Sequence, residues 1–167
     1  MAVQIGRPLR SQGEVVVRCH LGLPVVSRVP PILDDGTPFP TTYWLSCPLA
    51  QRRIGRIEAV GGVAEMEQRA SSDPEFGGRL AAAHARYAAE RDTMSPDLPG
   101  RRPTGGVGGA RRGVKCLHAH YADHASGHDN PVGEDTAGRI EPLDCTVPCV
   151  MEFPTGAAAN PAWREPG

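Results

Sequence analysis

Proline and glycine, 17 and 20 of the 167 residues, punctuate this chain so densely that its elements must be short and its connections many. The first third shows the effect. Val15-Val16-Val17-Arg18-Cys19 is a β-branched run closed by the turn-like His20-Leu21-Gly22-Leu23-Pro24. Val25-Val26-Ser27-Arg28-Val29 follows and stops at Pro30-Pro31. Asp34-Asp35-Gly36-Thr37-Pro38 then turns the chain into Thr41-Thr42-Tyr43-Trp44-Leu45-Ser46-Cys47. Connections this short exclude parallel crossovers, so the three runs predict a small antiparallel sheet.

The middle of the chain has helical spacing. Leu49, Ile54, Ile57 and Val60 form an apolar stripe that ends at Gly61-Gly62, and a second short helix is expected over 63–70. Ser72-Asp73-Pro74-Glu75 reads as a capping box with Ser72 as the cap and proline in the first turn. It opens a helix running to about Thr93, with Leu80, Ala83, His84 and Tyr87 on one face. Residues 94–112 are rich in glycine and proline and predict a long loop. A further helix is expected from Gly113 or Val114 to Ala125, and a short helix or turn after Asn130-Pro131. The expected fold is α+β, a small antiparallel sheet of about three strands packed with about four helices. Residues 1–150 are expected to form one domain and 151–167 a disordered tail.

A formal net charge of −1 argues against a protein that coats nucleic acid or an anionic membrane. No stretch approaches the roughly 18 consecutive apolar residues of a membrane span. The first residues, Met1-Ala2-Val3-Gln4-Ile5-Gly6-Arg7, lack the apolar run of a signal peptide, so a cytoplasmic location is expected. There the five cysteines would be free thiols, metal ligands or reactive groups rather than disulfides. Lys115 is the one lysine among 18 basic residues, and it directly precedes Cys116. An ammonium group has a tunable pKa that guanidinium lacks.

Several ordered segments resemble a family widespread in actinobacteria and catalogued as domain of unknown function 501. They are Arg18-Cys19 with Gly22 and Pro24, then Asp35-Gly36-Thr37-Pro38-Phe39-Pro40-Thr41 running into Tyr43-Trp44-Leu45-Ser46-Cys47-Pro48. Gly113-Val114-Lys115-Cys116-Leu117-His118, Asn130-Pro131-Val132-Gly133 and Pro148-Cys149-Val150 complete the series, which spans about residues 6 to 150. The resemblance implies a cytosolic bacterial protein, often encoded near a septum-formation membrane protein and an exopolyphosphatase-like enzyme. It implies no activity. Members resembling this chain vary after Lys-Cys-Leu-His, which makes a role for His120 less secure than one for Cys116 or His118.

Two kinds of site suit these residues. Cys116, His120 and His124 recur every four positions, on one face of a helix, and thiolate with imidazole is the usual donor set for zinc. Cys19 and Cys47 both end predicted strands, so one sheet edge could present them to that helix. Cys47 and Cys116 rank first as metal ligands, then Cys19 and His120; His118, His124 and Cys149 form an alternative set, and Cys145 could also contribute. Cys116 and His118 lie about 200° apart on a regular helix. They can cooperate only if Cys116 precedes the helix.

The second site is for an anion. Residues 105–113 lead a glycine-rich loop into a predicted helix N-terminus, where Arg111, Arg112, the Gly113 amide and Lys115 could face a phosphate-bearing ligand. From Leu98 to Ala122 there are five basic residues and no acidic one, which keeps a nucleic-acid backbone as a secondary candidate partner against the overall charge. Gly108 to Gly113 has the glycine spacing of a P-loop, but Val114-Lys115 stands where Lys-Ser/Thr is required, which excludes a nucleotide triphosphatase. A thiol mechanism is a further option: Cys116 with His118 or His120 as base, oriented by Asp123 or Asp129. The expected function is an accessory or binding protein with a structural zinc beside an anion-binding loop. The alternative is a Cys/His- or metal-dependent hydrolase or transferase acting on a phosphorylated or acyl substrate.

Overall fold

A computed structural model describes residues 1–94 and 101–166. Its fold is α+β. Strands β1 (Glu14–Arg18), β2 (Pro24–Arg28) and β3 (Tyr43–Leu45) form an antiparallel sheet in that order, with Val26 opposite Leu45 and Ser27 opposite Trp44. The β1–β2 turn closes because the Cys19 N–H bonds the Leu23 carbonyl and Gly22, at φ 76°, donates back to Cys19. The central strand β2 carries Val25, Val26 and Ser27 into the interior.

Among the described residues six helices accompany the sheet, where about four were expected. A single turn, α1 (Ala2–Ile5), had no sequence signal, and of the short helix or turn expected after Asn130 the segment forms the helix, ten residues long. Helix α2 (Pro48–Ala59) buries Leu49, Ala50 and Ile54, while α3 (Gly62–Ser72) buries Met66. Helix α4 (Pro74–Thr93) buries Phe76, Leu80, Ala83, Tyr87 and Arg91. Its cap is Asp73, not Ser72: the Asp73 carboxylate accepts the Glu75 and Phe76 N–H groups at 3.0 and 3.1 Å, and Ser72 ends α3. A charged acceptor directly before Pro74 satisfies the orphan amides better than a hydroxyl one residue further back.

Residues 95–100 of the expected loop lie outside the described residues. The rest of that loop packs rather than floats. Val107, Ala110 and Val114 are buried around a 3-10 turn at Val107–Gly109, and the His84 Nδ1 accepts the Val107 N–H at 3.0 Å. Helix α5 (Leu117–Ala125) packs on α6 (Pro131–Ile140) and β3. Asn130 caps α6 by accepting the Gly133 N–H at 3.1 Å. Residues 141–149 then run as an irregular arm across α2, held by Arg53, which donates to the Ile140 and Pro142 carbonyls, both at 2.7 Å. Where a disordered tail is expected, β4 (Val150–Phe153) and β5 (Gly156–Ala159) pair as a mostly exposed hairpin. Among the described residues no helix is long and apolar enough to cross a membrane.

Candidate metal centre

The segment around Cys116 enters its helix later than the sequence predicts. Gly113 has φ 64° and Cys116 is extended, so α5 starts at Leu117 and Cys116 stands outside it as the cap residue. That placement brings Cys116 and His118 together, with Sγ 3.6 Å from Nδ1. A third group arrives from α2. Glu58 Oε1 accepts the Leu117 N–H at 2.6 Å and lies 3.2 Å from His118 Nδ1. One ligand atom from each of Glu58, Cys116 and His118 falls within 4.8 Å of the other two, the one such group among the described residues.

The second imidazole nitrogen fixes the tautomer. His118 Nε2 lies 3.2 Å from the Gln51 carbonyl oxygen, which only accepts, so Nε2 carries hydrogen. Nδ1 is thereby left to face the thiol and the carboxylate. A histidine ligand tied by its other N–H to a carbonyl is the usual arrangement at protein metal sites. Without a metal, burial lowers the His118 pKa, but the neighbouring Cys116 sulfur, Glu58 carboxylate and Gln51 carbonyl outweigh it and raise the value to about 9. The trio can therefore bind a cation, or hold a proton in its place.

Two of the three, Cys116 and His118, line a cleft of about 410 Å³ between α1, β3 and the start of α5, and Glu58 lies behind them. Arg7 and Lys115 are its charged lining residues beside His118. The Arg7 guanidinium lies over the Trp44 ring, 5.4 Å from its centre, and Lys115 Nζ donates to the Gly108 carbonyl at 3.2 Å.

The expected ligand set does not converge. His120 is fully buried and its Nδ1 bonds Asn130 Oδ1 at 3.0 Å, facing away from Cys116. Because the helix starts after Cys116, the four-residue spacing no longer puts the two on one face. Burial lowers the His120 pKa to about 4, with His84 adding to the effect and the Asn130 bond opposing it. His124 lines a different hollow with Tyr121 and Glu141. Cys19 and Cys47 lie with Cys145 and Cys149 around a small separate cavity. Burial raises the Cys47 pKa to about 11 and pushes Cys149 upward.

The expected anion set is divided as well. Arg111, Arg112 and Gly113 line a hollow with His84, while Lys115 faces the cleft. The Leu117 amide at the true helix start is taken by Glu58, so the chain supplies its own anion there. Glu58 is the member of the trio that sequence reasoning missed. Its signal was a carboxylate four residues after Ile54 and eight after Ala50, continuing a buried row on α2 where a solvated side chain is out of place.

No curated protein and no solved structure matches the chain. A family model described as protein of unknown function (DUF501) matches residues 15–137, a span that holds nearly all of β1, everything from β2 to α5, most of α6 and all three members of the trio. With the larger part of its length matched in this way, the chain belongs to the DUF501 family.

Proposed function

We propose that Glu58, Cys116 and His118 hold a zinc ion on one wall of the cleft, and that the cleft takes a small phosphorylated or acyl compound against Arg7 and Lys115. The convergence of carboxylate, thiol and imidazole atoms within 4.8 Å carries this reading. A mixed oxygen, nitrogen and sulfur donor set suits zinc and is poor for magnesium or calcium. Three protein ligands beside an open cleft correspond to a catalytic rather than a structural site. Bound there, the ion supplies Lewis acidity to an oxygen of the guest. The chain's own residues position that guest: Lys115 and Arg7 offer positive charge, and the Trp44 ring holds the Arg7 guanidinium in place. The reading favours a metal-dependent hydrolase or transferase over an accessory protein with a structural metal.

The same 3.6 Å contact would also serve a Cys116 nucleophile with His118 as base. The arrangement of the acid weighs against it. In a triad the acid bonds the nitrogen remote from the nucleophile, whereas Glu58 shares Nδ1 with the thiol and Nε2 goes to Gln51. Metal analysis separates the two. Glu58→Gln, Cys116→Ser and His118→Ala should each lower zinc by about one ion per chain. Lys115→Ala should keep the zinc and weaken binding of inorganic phosphate several-fold by calorimetry. Unchanged zinc in all three ligand variants, with Cys116 the thiol most readily alkylated at neutral pH, rejects the metal centre in favour of the nucleophile.

A further inference from the structure

The other four cysteines gather at one place. Cys19 comes from the β1–β2 turn, Cys47 from the position before α2, and Cys145 and Cys149 from the irregular arm; all four line one cavity of about 20 Å³. The remaining wall is mostly aliphatic, with Leu23, Leu49 and Leu143 among its members, and the lining contains no acid and no cation. Among the described residues none that lines the hollow is a base, and the neighbouring His20 imidazole is engaged by the Cys145 carbonyl at 2.9 Å, so nucleophilic chemistry is not what this place is built for.

The polar groups that do reach the sulfurs are N–H donors. Cys47 stands at the N-cap position of α2, where the helix start presents its free amides. Gln4 Nε2 donates to Cys149 Sγ at 3.6 Å, and the Trp163 indole N–H donates to Cys145 Sγ at 3.4 Å. Neutral thiols need few such donors. Thiolates bound to a cation need them, because N–H groups and a helix N-terminus spread the negative charge that four sulfurs bring to one divalent ion. A set of four cysteine thiolates is a standard closed donor shell for structural zinc.

We infer that Cys19, Cys47, Cys145 and Cys149 bind one zinc ion as a closed tetrathiolate site that fastens the C-terminal arm to the sheet and α2. Sulfurs about 2.3 Å from a zinc ion stand about 3.8 Å apart in a tetrahedron. Here no three of the four lie within 4.8 Å of one another, so binding draws the arm inward. The arm suits this movement, since residues 141–149 have no helix or strand of their own to break. Each thiol gives up its proton on coordination, so four protons leave as one divalent ion enters. The site is independent of the Glu58–Cys116–His118 trio, and its role is structural.

The test uses the full chain produced with zinc in the medium. The unmodified protein should carry about two zinc ions, and Cys145→Ser or Cys149→Ser should each lower this to about one. In cobalt-substituted protein, most of the thiolate-to-metal charge-transfer absorption should survive Cys116→Ser and disappear in Cys145→Ser. Failure of the cleft site would show only as unchanged zinc in the Cys116 variant. Because a cysteine variant can misfold, the unmodified protein is also alkylated with iodoacetamide: Cys145 and Cys149 should react only after a chelator is added. Equal labelling with and without chelator, zinc unchanged in both arm variants, or a disulfide among these four in the metal-free purified chain would overturn the proposal.

Discussion

His120 remains uncharged in the folded protein because its ring is sealed between α5, α6 and α4, with His84 edge-on at 5.5 Å and Asn130 taking its one N–H. A folded pKa of about 4 lies below the ordinary value of 6.5, so the unfolded chain takes up this proton first. Stability from this source is intact above about pH 6.5, falls as the pH drops toward 4 and then levels, a loss on the order of 3 kcal/mol. Urea midpoints measured between pH 7.5 and 4.5 should show this slope, and His120→Leu should flatten it; an equal slope in the variant would place the acid sensitivity elsewhere. At this scale the sequence was legible in part. Lys115-Cys116-Leu117-His118 stands out in the sequence, but whether Cys116 meets His118 or His120 turns on where one helix begins. Gly113 at positive φ delays that start, and glycine's freedom of conformation is what a sequence reading cannot resolve.

Among the elements, α6 carries two glycines with opposite requirements. Gly133 lies against α5, where an added Cβ would press on the His120 carbonyl and the His124 Cβ; Gly138 has open space around it. Gly133→Ala should therefore destabilise by about 3 kcal/mol through overpacking, and Gly138→Ala should stabilise by about 0.5–1 kcal/mol through helix propensity. Chemical denaturation of the two variants checks both signs, and equal effects would mean that α5 and α6 do not pack closely at Gly133. The elements themselves were well marked in the sequence. Strands β1 to β3 and helices α2 to α4 fall within a few residues of their patterns because alternation, apolar stripes and proline starts are local signals. The β4–β5 hairpin was not, since Gly156-Ala157-Ala158-Ala159 has neither alternation nor β-branched residues.

For the whole molecule, the decisive contacts join residues far apart in the chain. Arg53 holds the arm through two carbonyls and through Asp144, 3.1 Å away, and its side chain is only 17 % exposed. Arg53→Ala should cost about 2 kcal/mol and raise amide hydrogen exchange across residues 141–149 while leaving α4 protected. Uniform exchange across the chain would mean that the arm has no separate stability. Such long-range closures explain what the sequence could not disclose. Cys145 and Cys149 were candidates in the sequence, but that they gather with Cys19 and Cys47, about a hundred residues away, has no local signal, and Glu58 reaches the Cys116 segment only through the packing of α2 beside α5.

Lys115 has a consequence of a practical kind. It is the chain's one lysine, exposed, and it stands on the rim of the cleft beside Cys116 and His118. Apart from the terminal amine, a reagent directed at primary amines thus finds a single address on the molecule. Acylating that amine removes the charge assigned to the guest, so a single chemical modification should weaken the cleft's hold on phosphate as Lys115→Ala does, while every arginine on the surface stays untouched.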